Sequence, residues 1–169
     1  MRYGTRTQLK RRWTPCGHRP HCPVKIGYEF GYLYTAINPY SGDVFCLMLP
    51  SMSKECFTVF LQEFIRYRQQ SYQQQTVLIL DGAGSHHADG LPQRDCLQLQ
   101  HLPAASPELN PVERFFKELR RELANQVFED IEHVEQKITE SLQHFWQQPS
   151  AVISLTRFPY LDSTSNTTT

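Results

Sequence analysis

The sequence has no run of apolar residues near the roughly 18 that a membrane-spanning helix needs. Its early cations, Arg2, Arg6, Lys10, Arg11 and Arg12, are not followed by the apolar core of a signal peptide. A cytoplasmic protein without membrane association is expected. Also missing are a Walker-type phosphate loop, a serine-nucleophile elbow and a dinucleotide fingerprint, which sets aside the commonest nucleotide-binding and acyl-transfer chemistries. The five cysteines, Cys16, Cys22, Cys46, Cys56 and Cys96, are odd in number and irregular in spacing, so a disulfide framework is not expected. Cys16, His18, His21 and Cys22 are all zinc-ligand types, but four of them within seven residues, with Pro20 between, fit no standard zinc spacing.

Acidic residues are absent from the start of the chain. Residues 1 to 25 carry seven Lys/Arg and no Asp or Glu, although the formal net charge of the whole is 0. The remainder therefore holds ten Lys/Arg against 17 Asp/Glu. A basic arm of this kind suits a phosphate backbone through counterion release, and equally suits a solvated flexible terminus.

What is present is enough for one domain: 169 residues, 40% hydrophobic and 12% aromatic. From Gly27 to Ile37 the residues alternate as in a half-buried strand, Asn38 to Asp43 is turn chemistry, and Val44 to Leu49 is a second strand, giving an antiparallel hairpin. Ser53 caps a helix whose apolar positions Phe57, Phe60, Leu61, Phe64 and Ile65 recur at helical spacing. Thr76 to Leu80 is a short continuous apolar run, the pattern of a buried strand, and a weaker strand follows at Leu97 to His101. Asn110-Pro111 opens a helix with Val112, Phe115, Phe116, Leu119 and Leu123 as its buried stripe. A last helix runs from Asp130 to the residues before Pro149, and Asp162 to Thr169 has the composition of a disordered end. The order suits a mixed α/β sheet flanked by helices.

Functional groups in open α/β sheets gather at the carboxyl ends of strands, and the apolar run puts Asp81 there, ahead of Gly82 and Gly84. An ordinary Asp-Gly turn ending a strand explains the same residues. Glu113, at the third position of the Asn110-Pro111 helix, leans toward the helix N-terminus, yet Asn110 with Glu113 three residues on is also a capping box. Glu108 is a lesser alternative.

Two segments together change this balance: LILDGAGSHHA, Leu78 to Ala88, and LPAASPELNPVERFFKELR, Leu102 to Arg120. Both resemble the signatures of the DDE transposases of the mariner-like superfamily, in its bacterial insertion-sequence branch. RYGTRTQLKRRWTPCGHRP, Arg2 to Pro20, also looks like the family's segment after its first strand. The resemblance spans most of residues 2 to 146. It implies a ribonuclease H-like sheet, with the second catalytic Asp at Asp81 and the final Glu at Glu113, both of them metal ligands for Mg²⁺ or Mn²⁺. His86 would orient a ligand or contact phosphate, while His87 would face solvent. Arg6, Lys10, Arg11 and Arg12 of the arm, with Lys117, Arg120 and Arg121 of the helix, would hold DNA.

The family's first Asp lies in an Asp-Glu pair directly before the residues matching Met1 to Gly4, so the first strand is expected to be missing. The expected organisation is a basic N-terminal segment over 1–26, an incomplete catalytic domain over 27–157 and a disordered tail over 158–169. The implied function is transposition by metal-dependent DNA cleavage and strand transfer on element ends and target, as a homodimer or in association with full-length transposase. Without the first Asp the chain would be inactive alone, because acids that act as a unit do not degrade gracefully. The alternative is a catalytically dead fragment that binds DNA or full-length transposase.

Overall fold

A computed structural model describes residues 1–71, 75–81, 96–103 and 106–163. Strand β1 is Arg2–Gly4, β2 Phe30–Ile37, β3 Val44–Leu49, β4 Thr76–Leu80 and β5 Leu97–His101. Helix α1 is Lys54–Ser71, α2 Val112–Glu122, α3 Ile131–Gln147, α4 Pro149–Thr156 and α5 Pro159–Ser163. A 3₁₀ turn at Pro107–Leu109 leads into α2. Among the described residues the strands form two sheets, an antiparallel β1–β2–β3 and a parallel β4–β5.

The hairpin forms where the alternation and the turn chemistry predict it. Asn38 accepts the Tyr40 and Ser41 amides on its side chain, at 2.9 and 3.2 Å, and the Gly42 amide on its carbonyl at 2.9 Å. Gly42 has φ +73°, and a Cβ there would meet the Pro149 carbonyl oxygen at 2.3 Å. Both the turn and its seat on the start of α4 therefore require glycine. Gly42→Ala is expected to cost about 1–3 kcal/mol from φ strain and the clash. A urea melt read by circular dichroism checks it.

β2 and β3 separate two cores. On one face Leu33 and Val44 join Tyr3 with Phe115, Phe116 and Leu119 of α2, Val134, Ile138 and Phe145 of α3, and Val152 of α4. On the other, Tyr34 and Ala36 pack with Phe57, Phe60, Leu61, Phe64 and Ile65 of α1 and with Leu80 and Leu97. The helical stripes read from the sequence are the ones buried. Ser53 accepts the Cys56 amide at 3.3 Å to start α1, and Asp130 accepts the His133 amide at 2.8 Å to start α3.

Four features differ from the sequence reading. The strand read from Gly27 begins at Phe30, because residues 27–29 lie against Thr5: the Thr5 amide donates to the Glu29 carbonyl at 3.1 Å, and Gly27 is packed on the Thr5 side chain. Arg2–Gly4, read as following the family's first strand, itself forms a short strand, with Arg2 opposite Tyr32 and Gly4 opposite Phe30. Tyr3 and Thr5 are fully buried, and Tyr3 joins the core that contains Leu33 and Phe115. β4 is covered on one face only: Leu80 is buried, but Val77 and Ile79 are 58% and 43% exposed, since α1 packs on a single side of the strand. Finally, α5 occupies part of the tail expected to be disordered, where Phe158 is buried and Tyr160 bonds the Leu109 carbonyl.

Candidate active site

β5 runs parallel to β4, and the Leu102 amide donates to the Leu80 carbonyl at 2.8 Å, extending the ladder to the last residue of β4. Asp81, half-buried, is therefore fixed at the carboxyl end of the pair, as its position after the apolar run predicts. Strand alternation sets it on the Val77–Ile79 face, opposite the α1 side on which Leu80 packs.

α2 begins at Val112, whose amide is accepted by the Asn110 side chain at 3.2 Å, with the Glu113 amide on the Asn110 carbonyl at 3.1 Å. Asn110 thus caps the helix, but the reciprocal half of a capping box is not made. The Glu113 carboxylate turns along the helix instead, to the Arg120 guanidinium at 3.5 Å. Arg120 also lies over the Phe116 ring, 5.8 Å from its centroid. Glu113 is consequently available at the helix start rather than spent on its own backbone.

The ammonium of Met1 is seated on β2. It donates to the Leu33 carbonyl at 2.6 Å, and Leu33 returns its amide to the Met1 carbonyl at 2.8 Å. Burial lowers the ammonium from 8.0 to about 6, Arg120 pushes the same way, and Glu113 and Asp81 oppose it. Met1 lines a cleft of about 640 Å³ with β2, β4, Asp81, Asn110 and Val112, so Asp81 and the residues that open α2 ahead of Glu113 face one space. Among the described residues no three His, Cys, Asp or Glu side chains converge as a metal cage. Hard carboxylate oxygens are nonetheless the donor type that Mg²⁺ and Mn²⁺ prefer, so Asp81 and Glu113 fit as part of such a set.

The C-terminal residues support this corner, which the sequence reading missed. Tyr160 bonds the Leu109 carbonyl just ahead of α2, Tyr40 donates to the Leu161 carbonyl at 2.6 Å, and Arg114 stacks on Phe158 at 4.2 Å. The aromatic run Phe158-Pro159-Tyr160 was the available signal. His86 and His87, with Gly82 and Gly84, lie outside the described residues. Lys117 is exposed on α2, Arg121 pairs with Glu118 at 3.5 Å, and Arg120 faces Glu113 rather than standing free for phosphate. Arg6, Lys10, Arg11 and Arg12 are exposed on a loop over residues 6–26, away from the acids.

Residues 1–135 match the family model of the DDE superfamily endonucleases. The chain belongs to that family. It is 32% identical over 127 residues, 75% of this chain and 93% of the other, to uncharacterized protein y4pE/y4sA of Sinorhizobium fredii. Among solved structures, the Mos1 strand transfer complex aligns over 91% of this chain with a TM-score of 0.65 at 19% identity. The Mos1 mariner paired-end complex with Mn aligns over 93% with 0.64 at 21%. These likenesses identify the fold as the ribonuclease H-like one. The chain spans about half the length of the Mos1 chains, 50% and 52% respectively. Membership in this endonuclease family implies dependence on a divalent metal. No helix among the described residues is long and apolar enough to cross a membrane.

Proposed function

We propose that this domain is the catalytic part of a mariner-like transposase that cleaves DNA and transfers strands, with Asp81 and Glu113 as ligands of Mg²⁺ or Mn²⁺. The observation that carries the reading is that Asp81, at the end of β4, lines one cleft with Met1 and with the residues that open α2 just ahead of Glu113. A metal bound there supplies Lewis-acid stabilisation of an in-line displacement at phosphorus and an activated oxygen nucleophile. The chain's own contribution is to fix the ligands. The β4–β5 ladder holds Asp81, and the capped start of α2, with Arg120 beneath it, holds Glu113. The cytoplasm is the expected compartment, and the two DNA ends of an element, held by a dimer, are the expected partners.

The β1–β2 register also says where a third acid would act. Met1 stands opposite Leu33, so a residue two positions ahead of Met1 would stand opposite Thr35, on the same face as Met1 and Leu33. That is the face on which α2 packs. An Asp in that position would join Asp81 and Glu113.

The test compares this chain with one extended by a strand-length segment ending in Asp-Glu before Met1. Mn²⁺ binding and Mn²⁺-dependent nicking of plasmid DNA are measured for both. Nicking that appears or rises at least tenfold in the extended chain, and is lost on removing the metal, supports the reading. Absence of metal binding and nicking in both chains refutes it. DNA binding without nicking in both would favour a non-catalytic, DNA-associating role instead.

A further inference from the structure

Between β1 and β2 the chain makes an excursion over residues 6–26 that the site above does not use. Its neck is closed by the Thr7 amide on the Lys25 carbonyl at 3.1 Å and by the Lys25 amide on the Thr7 hydroxyl at 2.9 Å. Its middle is pinned to the turn after α2. Asn125, in the left-handed region at φ 59°, donates its amide to the Gln8 carbonyl at 2.8 Å. The same residue accepts the Lys10 amide at 3.0 Å and the Arg12 guanidinium at 3.1 Å. The Lys25 ammonium bonds the Phe128 carbonyl at 3.0 Å. The tip is closed as well: Thr14 donates to the His18 carbonyl and the His18 amide to the Pro15 carbonyl, both at 3.1 Å, with Gly17 at φ +80°. The excursion is therefore a held prong.

At the base of that tip stands Trp13, 104% exposed, next to Arg11 and Arg12 and on the same prong as Lys10 and Arg19. An indole wholly in water is the largest apolar surface one side chain can leave unburied. Among the described residues Lys10, Arg11 and Arg19 form no ion pair. From the structure we infer that the prong is a nucleic-acid contact in which Trp13 stacks on or wedges between bases while Lys10, Arg11 and Arg19 neutralise the flanking phosphates. The charge pattern suits DNA: the prong carries Arg6, Lys10, Arg11, Arg12, Arg19 and Lys25 and no acid, the one-sided charge that a phosphate backbone draws through counterion release.

The inference rests on the reading of the domain as DNA-acting and adds a contact remote from the acids. Glu113 and Asn125 lie at opposite ends of α2. At about 1.5 Å per residue the prong's anchor is roughly 18 Å from Glu113. At about 3.4 Å per step along a strand this is roughly five base steps. A duplex lying along α2 would thus meet the prong about half a turn from the scissile phosphate.

The chain has two tryptophans, and the Trp146 indole is tied to the Val44 carbonyl at 2.9 Å. A Trp146→Phe chain therefore reports Trp13 emission alone. It is titrated with a fluorescein-labelled duplex of about thirty base pairs, following tryptophan emission and fluorescein anisotropy together. Trp13 emission should be quenched at the DNA concentrations that raise the anisotropy. Trp13→Ala, made with Trp146 intact, should weaken binding roughly tenfold or more with an unchanged melting temperature, and Trp13→Phe should recover most of it. Arg11→Ala should lower the salt slope of binding by about one. If anisotropy rises while Trp13 emission and the Trp13→Ala affinity stay unchanged, the prong assignment fails and the DNA-acting reading survives. If neither signal changes, both fail. Quenching that follows protein concentration without DNA overturns the inference in favour of a contact between copies.

Discussion

Asp81→Asn in the chain extended by the Asp-Glu segment is expected to lower metal-dependent DNA nicking by a factor of roughly 10³ or more, with little effect on folding. The substitution keeps the side chain's size and replaces a charged oxygen with an amide that is a poor ligand for a hard cation. A metal contributes several kcal/mol of transition-state charge stabilisation, and each ~1.4 kcal/mol is tenfold in rate, so weakening one ligand of an interdependent set reaches that size. Glu113→Gln should behave alike, because the proposed site uses both carboxylates as metal ligands. Arg120→Ala should be milder, since Arg120 touches Glu113 at 3.5 Å and acts only by orienting it. Plasmid nicking against Mn²⁺ concentration, with circular dichroism melts of each variant, separates these effects. Unchanged nicking in Asp81→Asn would reduce Asp81 to the end of a strand in an Asp-Gly turn.

Asp81 was legible because a strand's carboxyl end is a positional rule that needs only the apolar run Thr76 to Leu80. Glu113 was ambiguous for a physical reason. The same Asn110-x-x-Glu113 spacing serves a capping box and an active-site acid, and the Arg120 partner two turns along α2 sets aside only the capping box. The cleft that Asp81 shares with the start of α2 lies by Met1, next to a β1 of three residues, too short to leave a periodic signal. The one-sided burial of β4 was misread because a run of five apolar residues looks the same whether one face or both are covered. α5 was hidden by the Ser/Thr/Asn composition that begins one residue after Leu161.

The helices were legible from their apolar stripes, and that legibility extends to energetics. Phe115 is fully buried, with its ring centroid 4.8 Å from that of Phe145 and 6.4 Å from that of Phe116. It belongs to the core that includes Tyr3 and Leu33, where β1 meets α3 and β2 meets α2. Phe115→Ala removes the ring and leaves a cavity that close-packed neighbours fill only in part, an expected loss of about 3–5 kcal/mol. For a domain of this size that is a fall in Tm of roughly 6–20 °C at about 2–4 °C per kcal/mol. Lys117→Ala, two residues along on the exposed face, should stay within about 0.5 kcal/mol. Because α2 carries Glu113 on the face that meets the end of β1, the Phe115 variant should also lose Mn²⁺ affinity below its melting temperature, whereas Lys117→Ala should not. A calorimetric melt paired with a Mn²⁺ titration reads both. Equal stability of the two variants would mean that α2 is not seated on this core, and the placement of the start of α2 on the cleft that Asp81 lines would fall with it.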